Sequence, residues 1–201
     1  MHISDGILSV PILASGALLT VGGTVLGLKH LQYEKVPQTA ILSSAFFVAS
    51  LIHVPLGPSS VHLILNGLAG IILGWVTFPA LLIALFLQAV LFQFGGLTTL
   101  GVNTFNMAFP GVVVYFICGS LLKMRRTHFI TLAGILAATF GVSLAGICVA
   151  LELAFTGQGF IPVAKLVLIA HVPVVVIEAT ITAIILNFLY KAKPEIIGVN
   201  K

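Results

Sequence analysis

The feature that most constrains this chain is its shortage of charge, since only 7% of its 201 residues are Asp, Glu, Lys or Arg. A soluble domain carries about a quarter charged residues. Here 59% of the residues are hydrophobic and the mean hydropathy is +1.21, so too few polar side chains exist to cover a soluble core. The composition predicts an integral membrane protein and excludes a soluble enzyme, a disordered chain and a coiled coil.

Long apolar runs separated by Pro and Gly indicate how the chain crosses the membrane. They are continuous rather than alternating, which favours helices over a β-barrel. We therefore predict an all-α protein with seven transmembrane helices, formed as a single domain over residues 1–201. A helix needs about 20 residues to cross the hydrocarbon core, and runs two to five are shorter than that. The runs are 7–28, 39–52, 61–75, 79–94, 109–122, 129–155 and 161–190.

The basic residues predict the orientation of these helices. If the N-terminus lies outside, eight Lys or Arg residues fall inside and Lys165 alone falls outside, as expected from the preference of basic loops for the cytoplasm. The C-terminus is then cytoplasmic. The scattered cations indicate topology rather than nucleic-acid binding. The eight are Lys29, Lys35, Lys123, Arg125, Arg126, Lys191, Lys193 and Lys201.

The first two residues, Met1 and His2, can form a chelate. A free α-amine on Met1, the amide nitrogen of His2 and its imidazole close fused five- and six-membered rings around one ion. Three nitrogens then lie in one plane, and tetragonal nitrogen sites suit Ni(II) and Cu(II). The alternative is that a His follows the first Met by chance.

Two further histidines are predicted near the outer surface. Ser60 is a candidate helix cap, which places His62 in the first turns of the third helix, where it could supply a fourth nitrogen. Ionisable residues in membrane spans are often functional, although a lone His also occurs as a packing residue. We rank His53 as a neighbour of the ligands or an interfacial residue ahead of a ligand.

The segment Gly95–Met107 is too polar and too rich in Gly to face lipid. Irregular backbone at membrane depth survives where it is buried in protein or lines a cavity. We predict that it folds back and walls the site, with Asn103 and Asn106 as hydrogen-bonding partners of ligating groups. An ordinary extracellular loop is the alternative.

His171 and Glu178 are seven residues apart and so share one face of the last predicted helix. A buried carboxylate must be paired or protonated. We favour a structural bracing role for this pair over a proton relay. A proton-coupled carrier built on the pair, or a membrane subunit that binds an organic micronutrient, remains an alternative function.

Several enzyme motifs are absent from the sequence, including HExxH, GxSxG and a Walker A sequence. An intramembrane metalloenzyme using His53, His62 and Glu178 is a further alternative, but Glu178 is predicted far along its helix from the mouth. We therefore expect a protein that is not an enzyme.

Four segments together resemble the CbiM/NikM family, the substrate-binding S components of energy-coupling factor transporters for cobalt and nickel. The resemblance spans nearly the whole chain, and the Gly-rich stretch is its most specific part. The segments are Met1–Gly6, Ser60–Leu63, Gly95–Met107 and His171–Glu178.

The resemblance implies a seven-helix protein of a bacterial or archaeal plasma membrane, with its N-terminus inserted into the bundle. It implies metal ligation by the Met1 amine, the His2 amide and imidazole, and the His62 imidazole. The ion is a transported substrate, so no cofactor is implied, and we place Ni²⁺ slightly ahead of Co²⁺ because a plane of four nitrogens suits it. The implied partners are a transmembrane T component, a pair of ATP-binding-cassette ATPases and often a small auxiliary membrane subunit.

Overall fold

The computed structural model describes residues 2–199 as a helical bundle with one short β-hairpin. Short 3-10 turns follow α1, α3, α6 and α7. The helices are α1 (Val10–His30), α2 (Val36–Ala49), α3 (Asn66–Leu73), α4 (Thr77–Phe92), α5 (Leu100–Leu122), α6 (Thr127–Thr156) and α7 (Ile161–Ala192), and the strands are β1 (His53–Leu56) and β2 (Ser59–His62).

Five helical stretches within residues 2–199 are long and apolar enough to cross a membrane: 10–30, 66–92, 100–122, 127–156 and 158–192. Many large apolar side chains lie exposed on their outer faces, as expected for helices in contact with lipid. The chain is thus a multi-pass membrane protein. The predicted number of seven spans and the predicted outward N-terminus are not confirmed, since α2 has 14 residues and reaches only about 21 Å.

The third and fourth predicted runs correspond to α3 and α4. The stretch 66–92 does not continue as one straight helix, because the chain reverses direction between them. The Thr77 hydroxyl donates to the Ala69 carbonyl at 3.4 Å, whereas eight residues of straight helix would separate the two by about 12 Å. The reversal occurs at Gly74, whose φ of +57° suits a residue without a Cβ. Both α3 and α4 consequently keep one end near the β-hairpin.

The β-hairpin corrects the predictions of an all-α protein and of a third helix that begins near residue 61. β1 and β2 pair antiparallel, with His53 opposite His62, so Ser60 is a strand residue rather than a helix cap and His62 ends a strand rather than beginning a helix. The cause is local, because Gly57 adopts a φ of +59° and Pro58 follows it, with β-branched Val54 and Val61 on either side.

Small residues let the helices approach closely, as is common in membrane bundles. A Cβ added to Gly134 would lie 2.6 Å from the Cα of Ala183, where α6 packs along α7. A Cβ added to Gly70 would lie 2.2 Å from the carbonyl oxygen of Gly111, where α3 crosses α5. The bundle is therefore held by backbone-to-backbone packing that larger side chains would prevent.

The β-hairpin and the basic residues lie at opposite ends of the bundle. α1, α5 and α7 end, and α2 and α6 begin, at the basic end, while α2 and α4 end and α5 begins at the hairpin end. A short C-terminal segment closes the basic end with the buried side chains of Ile197 and Val199. The basic residues that the structure describes there are Lys29, Lys35, Lys123, Arg125, Arg126, Lys191 and Lys193.

Candidate metal centre

The N-terminal segment is inserted between the β-hairpin and the start of α5. The Ile3 amide donates to Asn103 Oδ1 at 2.9 Å, and Asn103 Nδ2 donates back to the Ile3 carbonyl at 3.0 Å. On the other side, Ile3 pairs with Ser59 as an antiparallel bridge, and the Ser4 amide donates to the Pro58 carbonyl at 3.1 Å. Ile3 is fully buried, so main-chain contacts on both sides fix this segment.

Asp5 and Thr99 attach the same segment to the residues before α5. Asp5 Oδ1 accepts hydrogen bonds from the amides of Thr98 and Thr99 at 3.1 and 3.3 Å. The Thr99 hydroxyl donates to the Ile3 carbonyl at 2.9 Å. A Cβ on Gly96 would overlap the Asp5 carboxylate at 2.0 Å, so the Gly at this position allows the carboxylate to approach. These contacts explain why a polar, Gly-rich stretch is found here.

This placement brings together two histidines that are 60 residues apart in sequence. The ring centroids of His2 and His62 lie 4.7 Å apart, and the side chains are only 5% and 3% exposed. Within residues 2–199 no group of three His, Cys, Asp or Glu side chains is placed to hold a metal ion. An ion held by the two rings would need further ligands of another kind.

Gln88 on α4 determines which ring nitrogen of His2 carries the proton. Its Oε1 lies 2.8 Å from His2 Nε2, and its Nε2 donates to the Phe47 carbonyl at 3.0 Å and to the Ser50 hydroxyl. Because Oε1 can only accept, His2 Nε2 carries the proton and Nδ1 keeps its lone pair. Nδ1 is the ring nitrogen that can close a six-membered chelate ring with the His2 amide nitrogen.

His62 has a complementary arrangement. Its Nδ1 donates to the Leu63 carbonyl at 2.8 Å, and its Nε2 is buried without a hydrogen-bond partner. Burial lowers the pKa of His2 to about 3 and lowers that of His62 well below its usual range. Both rings are thus neutral near pH 7, the form that ligates a metal, and each presents one nitrogen lone pair in a buried place.

Glu178 lies far along α7, as predicted, but it is not distant from His62 as expected, because it holds the backbone that follows His62. Its Oε1 accepts hydrogen bonds from the amides of Ile64 and Leu65, and Leu65 has a φ of +50°. A carboxylate that holds two adjacent amides can stabilise this unusual turn. His171, two helical turns away, donates from Nδ1 to the Val167 carbonyl of its own helix at 2.6 Å. The bracing role of the pair stays a prediction.

Asn103 and Asn106 contact different parts of the molecule. Asn103 contacts the N-terminal segment, whereas Asn106 Nδ2 donates to Glu152 Oε2 at 2.6 Å, between α5 and α6. The predicted wall loop 95–107 is also shorter than expected, because α5 already begins at Leu100. On a helix, Asn103 and Asn106 are one turn apart but at different angles, so the two amides reach different neighbours.

His53 is half-buried at the edge of the hairpin, more exposed than His2 and His62. Its ring packs edge-on against Phe94 at 4.3 Å between centroids, and the Phe94 ring is 6.3 Å from that of His2. Met1, the remaining predicted ligand, lies outside the described residues. The site residues that the structure describes therefore converge from the N-terminus, the hairpin, the end of α4 and the start of α5.

Sequence reasoning missed Gln88 and Thr99. Gln88 is the single amide side chain within residues 79–92, since Gln93 follows the end of that helix, and a polar residue inside a span is as informative as an ionisable one. That signal could have identified Gln88 as a candidate site residue. Thr99 had no comparable signal, because hydroxyl side chains are common in membrane helices and satisfy themselves locally.

Comparison with known proteins identifies a family. The family described as "Cobalt uptake substrate-specific transmembrane region" matches residues 2–196. The chain is 43% identical over 98% of its length to a Haemophilus influenzae protein named for metal transport, 97% of which is covered. It is 34% identical over 95% of its length to the cobalt transport protein CbiM of Thermosipho melanesiensis, 87% of which is covered.

A solved structure of a truncated transition metal transporter superposes with a TM-score of 0.76 at 27% identity, covering 95% of this chain and 99% of that one. The fused nickel transport protein NikMN of Rhodobacter capsulatus is 32% identical over 76% of this chain and 46% of its own length. The family match covers nearly every residue, including the inserted N-terminal segment and the hairpin. This chain belongs to the CbiM family of membrane transport proteins.

Proposed function

We propose that the protein captures Ni²⁺ or Co²⁺ and delivers it for ATP-driven uptake as the substrate-binding membrane subunit of an energy-coupling factor transporter. Its partners are then a T component, a pair of ATP-binding-cassette ATPases and a small auxiliary membrane subunit. Family membership supports transport of a transition metal, and its relatives include proteins named for cobalt and for nickel. This chain has no Walker A sequence, so ATP hydrolysis falls to partners.

One observation supports the proposal most strongly: a neutral imidazole pair, buried at 4.7 Å between ring centroids, at the end of an inserted N-terminal segment. The proposed ligands are the α-amine of Met1, the amide nitrogen and Nδ1 of His2, and Nε2 of His62. The first three close fused chelate rings, and the fourth completes a plane of nitrogens, which suits Ni(II). Affinity alone favours Cu(II) over Ni(II), so copper is excluded by access to the site or by its availability in the cell.

The orientation follows from the two ends of the bundle. Except for Lys165, the seven Lys and Arg residues that the structure describes lie opposite the hairpin, and basic loops favour the cytoplasm. The hairpin and the two buried histidines then face outward, where they receive the ion. Release into the cell requires the nucleotide-driven partners, because a fixed site with strong nitrogen ligands would retain the metal.

The experiment that tests this proposal extends the N-terminus. Adding Gly-Ser before Met1, with the new first residue verified by intact mass, converts the proposed amine ligand into an amide. We expect loss of stoichiometric Ni²⁺ binding to the purified protein, measured by equilibrium dialysis with metal analysis. The matched control carries Gly-Ser after Lys201 and keeps wild-type binding. Retention of tight 1:1 binding by the N-terminally extended protein would contradict the chelate.

His62→Ala supplies an independent test of the fourth nitrogen. The variant is expected to remain folded, as judged by its thermal melting in detergent, while its Ni²⁺ affinity falls by at least 100-fold. Wild-type affinity would remove His62 from the proposed ligands. Uptake by cells that persists without any ATPase would instead favour the proton-coupled carrier.

A further inference from the structure

Two cavities reach the buried histidines, and their walls differ in polarity. The first, of about 340 Å³, lies between the hairpin and α7, and among the described residues that line it His62 is the single polar side chain. The second, of about 140 Å³, is lined by His2, His53, Ser59, Ser60, Gln93 and Phe94 among others. A divalent cation cannot enter an apolar cavity without great cost, so the second cavity is its path.

An ion that passes through this polar cavity has to lose water before the proposed nitrogens can hold it. A divalent transition-metal ion in water carries a full shell of water molecules, and the nitrogens of the proposed site replace most of that shell. A ligand in the wall of the cavity, where His2 also lies, can replace the first water that the ion loses.

His53 is placed to provide that ligand. It stands directly opposite His62 in the β1–β2 register, so the two side chains project from the same face of the hairpin. Its Nδ1 lies 3.1 Å from the Leu51 carbonyl, which leaves Nε2 with a free lone pair. Phe94 packs against its ring at 4.3 Å, and the same cavity has His2 in its wall.

We propose that His53 is a transient metal ligand: it binds the incoming ion in the polar cavity, exchanges for one or more of its waters, and transfers it to the nitrogens of His2 and His62. This inference rests on the proposed function. Because His53 acts only during passage, it lowers the barrier in both directions. It therefore accelerates binding and release by the same factor and leaves the dissociation constant unchanged.

The test uses the full-length protein in detergent with NiCl₂ and a fluorescent chelator as competitor, in a stopped-flow instrument. His53→Ala is expected to lower both the association and the dissociation rate constants by at least tenfold, with 1:1 stoichiometry and an unchanged dissociation constant. His53→Asp keeps a metal-binding side chain and is expected to recover most of the lost rate. The control is His30→Ala, an exposed His at the basic end, which keeps wild-type rates.

Three results would overturn the inference. An association rate that is unchanged or faster in His53→Ala shows that the side chain only obstructs the path. A weaker affinity caused by faster release identifies a permanent ligand. An association rate constant that His53→Asp does not restore shows that His53→Ala lost the shape of the side chain rather than a metal ligand. In each of these cases wild-type protein binds Ni²⁺, so the proposed function stands; if wild-type protein binds no Ni²⁺, that function fails instead.

Discussion

The N-terminal segment and the α6–α7 pair are held in place by different forces. Residues 2–5 form almost no regular secondary structure and are fixed by hydrogen bonds to Asn103, Thr99 and Pro58. α6 and α7 lie against each other along most of their length through small residues such as Gly134. The geometry of the proposed metal site therefore depends on a few polar contacts, whereas folding depends on packing volume, so substitutions in the two regions should affect different properties.

The largest expected effect is in the packed helices. Gly134→Val places a branched side chain where even a Cβ would lie 2.6 Å from the Ala183 Cα, and overpacking of this kind costs roughly 3 kcal/mol or prevents folding. We expect a large fall in melting temperature, measured by thermal unfolding in detergent. The control is Gly119→Val, because a Cβ at Gly119 meets nothing within 4 Å. Equal melting temperatures for both variants would contradict the packing argument.

Next in size is the loss of the Asn103 contacts. Asn103→Leu removes two hydrogen bonds to the Ile3 main chain, at about 1 kcal/mol each, so Ni²⁺ affinity should fall roughly 30-fold. Asn187→Leu is the matched control, because Asn187 bonds Thr131 between α6 and α7. It should lower stability and leave affinity unchanged. Calorimetric titration and thermal melting of both variants measure the two properties, and the comparison fails if Asn187→Leu weakens metal binding as much.

A smaller effect is expected at Gln88. Gln88→Met keeps the side-chain volume and removes the acceptor of the His2 Nε2 proton, which frees the ring to rotate and change tautomer. Loss of such a hydrogen bond to a ligating His costs about 10–100-fold in affinity, and we expect the low end because the ring remains packed. Gln38→Met, at the other end of the bundle, is the control. Unchanged Ni²⁺ affinity in Gln88→Met would show that Gln88 does not orient the ring.

The smallest effect concerns how the stability of the protein without bound metal depends on pH. Burial lowers the pKa of His2 to about 3 and that of His62 well below its ordinary value, so below about pH 6.5 the unfolded chain binds more protons than the folded one. Stability should therefore fall as the pH falls from 6.5, and the His2 contribution should end near pH 3. In a His2→Gln, His62→Gln double variant the melting temperature should decline several degrees less. A decline as steep as that of wild type would contradict the assignment.

The sequence predicted a helical membrane protein from its strong apolar signal. The resemblance to the CbiM/NikM family implied that His2 and His62 come together, and their rings do lie close to each other. Apolar runs define the spans, and a Gly-rich polar stretch beside them predicts a site at one end of the bundle. The hairpin was missed because Val61 begins the apolar run 61–75, and periodicity does not separate a short strand from the start of a helix there. The break between the third and fourth runs was predicted within a few residues of Gly74, where the chain reverses with a φ of +57°.

The contacts of the individual polar side chains could not be predicted for a different reason. Asn103 and Asn106 look equivalent in the sequence, but one turns towards the inserted segment and the other towards Glu152. Which neighbour each reaches depends on the rotation of α5 against α1 and α6, a property of the assembled bundle. Helix rotation is set by packing over many residues, so no local motif contains it.

The hydrogen bonds that hold Ile3 in place are made to its main-chain atoms, so they depend on its position in the chain more than on its side chain. Asn103, Thr99 and Ser59 all recognise main-chain atoms of Ile3, and the Ser4 side chain is exposed. Substitution at position 4 should therefore be tolerated, while inserting or deleting one residue before position 3 would displace the leading nitrogens by about 3.3 Å. The spacing between His2 and Ile3 is thus constrained more tightly than the identity of the side chain at position 4.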